Sequence, residues 1–163
     1  TTSALMHSLP DDSEVMTSAR DADHFNVLNA EEASNKLSGV KVLIADDDIR
    51  NIYSMTSVFE HEGAEVLCAM DGFEALEIFK AHPDLSLILM DIMMPGKDGL
   101  QAIREIRAME GNSTIPIIAV TAKAMRDDRE ICINAGANDY ITKPVRLELL
   151  LSKVYQLLKE KQA

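Results

Sequence analysis

Val40-Lys41-Val42-Leu43-Ile44-Ala45-Asp46-Asp47-Asp48 is the stretch on which the reading of the whole chain turns. Its first six residues are β-branched or apolar almost without interruption, the pattern of a strand covered on both faces. Three aspartates then end the run abruptly. Ile49 to Glu62 follows with helical spacing through Ile52, Met55, Val58 and Phe59, and stops at Gly63, a residue suited to helix ends. A doubly covered strand that feeds straight into a helix is the opening of a β-α unit.

Further units succeed it. Ala64 to Ala69 reads as a second strand, and Gly72 to Ala81 as a helix ended by Pro83. Leu85 to Met90, the most hydrophobic segment, is a third strand, followed by a helix over Asp98 to Met109. Ile115 to Val120 is a fourth strand, with a helix over Met125 to Ala135 that stops at Gly136. Ala137 to Thr142 and the amphipathic Leu147 to Lys159 complete the series. Five such pairs with short connections imply an α/β fold, a parallel sheet with helices on both faces. No internal repeat or low-complexity tract interrupts it.

Before Val40 the texture differs. Residues 1–39 hold seven acids against Arg20 and Lys36, so −5 of the chain's net −11 comes from this stretch. Apolar residues are scattered there, too few to offset the entropy of ordering, and an acidic linker is expected, with room for a short helix around Phe25 to Leu37. Residues 40–163 form the folded domain. The chain opens at Thr1 rather than Met, which fits excision from a longer protein as well as methionine removal.

Composition excludes several functions. With 163 residues, 47% apolar and 26% charged, the chain suits one soluble domain plus an appendage. Its 16 basic against 27 acidic residues argue against nucleic acid or an anionic membrane surface as partner. The apolar runs are too short to span a bilayer, and no basic, apolar leader opens the chain. Two cysteines, Cys68 and Cys132, make no disulfide framework and fit a reducing, cytoplasmic setting. Asn112-Ser113-Thr114 matches a glycosylation acceptor and reads as a loop.

In an open parallel sheet, ligands sit beyond the carboxyl ends of the strands. Strand one ends in Asp46-Asp47-Asp48, strand three in Asp91, strand four in Thr121-Ala122 and strand five in Lys143-Pro144. Asp46, Asp47 and Asp91 bring −3 and Lys143 brings +1, so a divalent cation would neutralise the group. Hard oxygen donors without nearby His or Cys suit Mg²⁺ better than zinc. A magnesium site beside a carboxylate and a lysine is apparatus for phosphoryl transfer onto an aspartate.

Four segments carry a resemblance: Leu43 to Asp48, Met90-Asp91-Ile92-Met93-Met94-Pro95-Gly96-Lys97-Asp98-Gly99, Val120-Thr121-Ala122 and Tyr140-Ile141-Thr142-Lys143-Pro144. Together they resemble the CheY-like receiver domain of two-component response regulators, over residues 40 to about 160. That resemblance implies a flavodoxin-like, doubly wound sheet of five parallel strands in the order 2-1-3-4-5 with five helices. It implies Asp91 as phosphoacceptor, taking its phosphoryl group from the phosphohistidine of a histidine kinase or histidine phosphotransfer domain. Asp47 would bind Mg²⁺ directly, Asp46 largely through water, and Asp91 and the Met93 backbone carbonyl would complete the set. Thr121 and Lys143 would contact the phosphoryl group, Tyr140 would be the switch aromatic, and the Lys143-Pro144 peptide would be cis.

Simpler roles stand beside these. Asp48 reads as the cap of the first helix, and Met90, Met93 and Met94 as gap-filling side chains. A haloacid-dehalogenase-like phosphohydrolase, with Asp46 as nucleophile and Asp48 as acid-base, would need a later acidic pair. After Lys143 only Glu148 and Glu160 remain, and Asp91 would have no task. Nucleotide-binding loops and a nucleophile elbow are missing. A receiver that never accepts phosphate conflicts with the intact Asp47, Asp91, Thr121 and Lys143. The expected chemistry is therefore on the protein itself. The Asp46 to Asn51 opening and the Met90 to Pro95 stretch look most like the C-terminal receiver of a hybrid histidine kinase, with a free-standing regulator as the alternative.

Overall fold

The computed structural model describes residues 35–109, 114–122 and 126–162. The expected linker up to residue 34 and the loop at Asn112 and Ser113 lie outside them. Five strands alternate with five helices: β1 Lys41–Ala45, α1 Ile49–His61, β2 Glu65–Ala69, α2 Gly72–Ala81, β3 Leu87–Asp91, α3 Gly99–Ala108, β4 Ile117–Thr121, α4 Arg126–Ala135, β5 Asp139–Thr142 and α5 Leu147–Gln162. The strands form one parallel sheet in the order β2-β1-β3-β4-β5. This is the flavodoxin-like order implied by the resemblance.

The unbroken apolar runs are explained by two cores, one on each face. Leu43, Ala45, Ile88, Met90, Ile117 and Ala119 point to a cluster that includes Ala75, Leu76 and Phe79 of α2, Ile103 and Ile106 of α3, and Cys132 of α4. The alternate residues Val42, Ile44, Leu87, Leu89, Ile118 and Val120 join Ile52, Met55 and Phe59 of α1 with Leu150 and Val154 of α5. Successive side chains of a strand face opposite ways, so both sets must be apolar when both faces are covered.

The first three helices share one device. Asp48, Asp71 and Asp98 each cap a helix, accepting from the backbone N–H of Arg50, Glu74 and Gln101 at 2.9, 2.8 and 2.8 Å. Asp48 thus takes the capping role expected of it. Asp98 lies just outside α3 rather than in its first turn. Strand four starts at Ile117, later than the apolar run suggests, because Pro116 has no N–H for the ladder; its carbonyl still accepts from Ile88 at 3.0 Å.

The compact unit begins at Asn35. Leu37, on the linker side of Val40, is 1% exposed and belongs to the α1/α5 core. Its N–H donates to the Glu62 carbonyl at 2.9 Å, which ties the entry turn to the end of α1. Among the described residues no helix is long and apolar enough to cross a membrane.

Candidate functional site

Strand register sets the site. Ala45 pairs with Met90, Asp91 with Val120 and Thr121 with Thr142, so the carboxyl ends of β1, β3, β4 and β5 finish nearly level. Backbone bonds continue just past the strands: Asp46 N–H to the Ala69 carbonyl (3.0 Å), Ile92 to Val120 (2.9 Å) and Lys143 to Thr121 (2.8 Å). The residues at this end are therefore held almost as firmly as the sheet itself. Four of the expected site residues meet here.

Carboxylate oxygens of Asp46, Asp47 and Asp91 lie within 4.8 Å of one another. Asp46 and Asp91 are 0% and 1% exposed, whereas Asp47 faces solvent. The Lys143 ammonium donates to Asp91 Oδ2 at 3.0 Å and lies 3.4 Å from Asp46 Oδ2. Asp91 Oδ1 accepts from the Met93 N–H at 3.1 Å, and Asp46 Oδ1 from the Asp48 N–H at 2.8 Å.

One ammonium against three carboxylates leaves the group negative. Burial, helped by the charge of Asp46, pushes the Asp91 carboxyl up to about 6, against the hydrogen bonds from Lys143 and Met93. For Lys143, burial works against the charge, but the hydrogen bond and charge of Asp91, together with Asp46, outweigh it and raise its pKa. All-oxygen donors with a residual negative charge suit a hard divalent cation.

Thr121, at the end of β4, is 4% exposed. Tyr140 pairs with Ala119 and packs partly buried against the α2–α4 core. Since Ala119 and Thr121 are two apart, Thr121 and Tyr140 share a face of the sheet. The Met93 side chain is exposed at the mouth of the site. The Lys143-Pro144 peptide is cis. One contact escaped the sequence reading: Asn51, from the first turn of α1, donates to Asp46 Oδ2 at 3.4 Å. Its position three residues after the capping Asp48 was the available signal.

A family model described as the response regulator receiver domain matches residues 42–155. The chain belongs to that family. Receivers serve two-component and phosphorelay signalling, and this domain is one of them. It is 43% identical over 117 residues to a hybrid signal transduction histidine kinase I of Dictyostelium discoideum, covering 68% of this chain but 7% of the kinase. It is 38% identical over 119 residues to the protein PilH of Pseudomonas aeruginosa, covering 72% of this chain and 97% of PilH. Among solved structures, it resembles the receiver domain of the Saccharomyces cerevisiae response regulator Ssk1, in complex with the histidine phosphotransfer signalling protein Ypd1. That match has a TM-score of 0.66 and 30% identity, over 71% of this chain and 86% of the other. Receivers therefore occur both as a small part of long kinases and as nearly whole proteins.

Proposed function

We propose that this receiver accepts a phosphoryl group from a phosphohistidine onto Asp91. The observation that carries the reading is the buried Asp91 carboxylate, paired with Lys143 and within reach of the Asp46 and Asp47 oxygens. An Asp91 oxygen attacks phosphorus, the P–N bond of the donor breaks, and its electron pair leaves on the imidazole nitrogen. The product is an acyl phosphate. Lys143 is placed to follow the charge from the carboxylate to the phosphoryl oxygens. Asp46, Asp47, Asp91 and the Met93 carbonyl would hold Mg²⁺, which when bound neutralises charge on the phosphoryl and carboxylate oxygens.

After transfer the Thr121 hydroxyl would hydrogen-bond a phosphoryl oxygen, and Tyr140 on the same face would turn toward the space Thr121 leaves. A charge-assisted hydrogen bond of roughly 1.5–3 kcal/mol is enough to bias two states by about 10- to 150-fold. The donor is a histidine kinase or histidine phosphotransfer domain, and the setting cytoplasmic. The Asp46 to Asn51 and Met90 to Pro95 stretches support the receiver of a hybrid kinase as the parent. The open reading frame upstream of Thr1 tests that parentage.

Acetyl phosphate with Mg²⁺ should add one acid-stable, base-labile phosphoryl group to the wild type, and none to Asp91→Asn, by intact mass. Undiminished modification of Asp91→Asn would overturn the assignment. Loss only in Asp46→Asn would favour the phosphohydrolase chemistry instead.

A further inference from the structure

The loop from Ile92 to Asp98 carries Met93 away from Asp91, and its two ends are fixed by backbone bonds. Ile92 N–H donates to the Val120 carbonyl at 2.9 Å, and Gly99 N–H to the Ile92 carbonyl at 3.1 Å. Its middle is gripped from the side by the start of α2. Gly96 has φ +75°, and a Cβ there would come within 3.2 Å of the Phe73 ring edge. Reciprocally, the Lys97 carbonyl occupies the space that a Cβ on Gly72 would need. Two glycines thus let loop and helix interlock, each accepting its neighbour's bulk.

Lys97 closes this joint. Its ammonium lies 5.1 Å from the centroid of the Phe73 ring and is ion-paired with Glu105 of α3. The Lys97 side chain is only 17% exposed, whereas Phe73 is an aromatic residue left 56% exposed on the surface. Packing into the core does not account for Phe73 there. A face offered to a cation does. The contact spans three elements: the first turn of α2, the loop after β3 and the second turn of α3.

We propose that Phe73, Lys97 and Glu105 are positioning residues, a clamp that holds the Ile92–Asp98 loop in the geometry that binds a divalent cation. The inference rests on the Mg²⁺ reading of the carboxylate cluster given above. None of the three residues reaches the cluster; each acts through the loop that bears Met93. A loop that samples other conformations presents the Met93 carbonyl only part of the time, and the apparent affinity falls by that fraction.

The test is Mg²⁺ titration of the full chain followed by amide NMR, with hydrogen exchange of residues 93–98 measured in the metal-free protein. Lys97→Met keeps the stem and removes the charge, and Phe73→Ala removes the ring. Each should weaken Mg²⁺ binding by about 2- to 5-fold, the equivalent of one exposed cation–π contact, and speed exchange in the loop. Lys97→Arg should restore both to near wild type, a rescue that a merely structural loss of packing does not predict. Wild-type affinity and loop exchange in both Lys97→Met and Phe73→Ala would overturn the clamp while leaving the Mg²⁺ site standing. Failure of the wild type itself to bind Mg²⁺ would overturn the site, and the clamp with it.

Discussion

The two ends of the sheet treat charge in opposite ways. At the amino end the Arg107 and Lys41 cations each have close polar partners. The Arg107 guanidinium donates to the Gly136 carbonyl (2.8 Å), the Ile115 carbonyl (2.7 Å) and Asn138 Oδ1 (2.8 Å), and Asn138 Oδ1 also accepts from the Ile117 N–H at 2.8 Å. Lys41, at the start of β1, pairs with Asp84 at 2.9 Å and lies 4.0 Å from Glu65. At the carboxyl end three carboxylates share one lysine. Those partners tie the fold together, whereas the mismatch at the carboxyl end stores a demand for a ligand. The demand is affordable because the other end is so well tied.

The largest expected effect strikes the matched end. Arg107→Ala strips a hydrogen-bond donor from two carbonyls and an amide oxygen that join α3, β4 and the approach to β5. It should cost about 2–4 kcal/mol in denaturant unfolding and leave the Mg²⁺ titration unchanged. A variant that loses Mg²⁺ affinity in proportion to stability would show that the ends are not independent.

A smaller effect, of opposite character, belongs to the mismatched end. Asp91 in the fold has its pKa raised to about 6, against about 3.9 in an unfolded chain. Below the lower value both states hold the proton, and the favourable contribution of the neutral group is complete. Between the two values the unfolded chain releases the proton while the fold keeps it, so stability falls as pH rises. Metal-free protein should lose roughly 1–3 kcal/mol between pH 4 and pH 6–7 through this group. Asp91→Asn should lack that loss, and saturating Mg²⁺ should offset it. Unfolding curves across this range, with chelator and with Mg²⁺, decide the matter.

The finest division falls between neighbours. Asp48 caps α1 and is paired with Arg50 at 3.0 Å, whereas Asp47 contributes to the carboxylate cluster. Asp48→Ala should cost about 0.5–2 kcal/mol of stability with Mg²⁺ affinity kept. Asp47→Ala should keep stability and lose Mg²⁺ binding and phosphorylation together. Equal Mg²⁺ titrations for the two variants would erase the distinction.

What was legible in the sequence follows from how local each signal is. The strands were readable because both faces of β1, β3 and β4 are buried and their runs are unbroken. Asp46, Asp91 and Lys143 were readable because in a parallel sheet the residues at and just past a strand's carboxyl end have a known destination. Arg107, Lys97 and Phe73 were not, since their partners come from elements that only the folded topology brings near. Leu37 was hidden differently. It sits in an acidic, sparsely apolar stretch, and its burial depends on the turn between α1 and β2. The edges of β3 and β4 shifted because apolar Leu85 and Ile115 are buried without entering the ladder.

The entry turn at Leu37 also settles a question of reach. Any polypeptide ahead of residue 35 arrives beside the start of β1, while Asp91 lies at the far end of the sheet. A five-residue strand spans about 17 Å, so roughly that distance separates the point of attachment from the point of transfer. A donor histidine fused upstream would have to travel around the domain to meet its acceptor, and its effective concentration would depend on tether length more than on contacts near the attachment. The mouth of the site stands at the carboxyl ends of the strands, away from residue 35. A donor from another molecule and one from the same chain would compete for it on terms that lengthening or shortening the tether alone could alter.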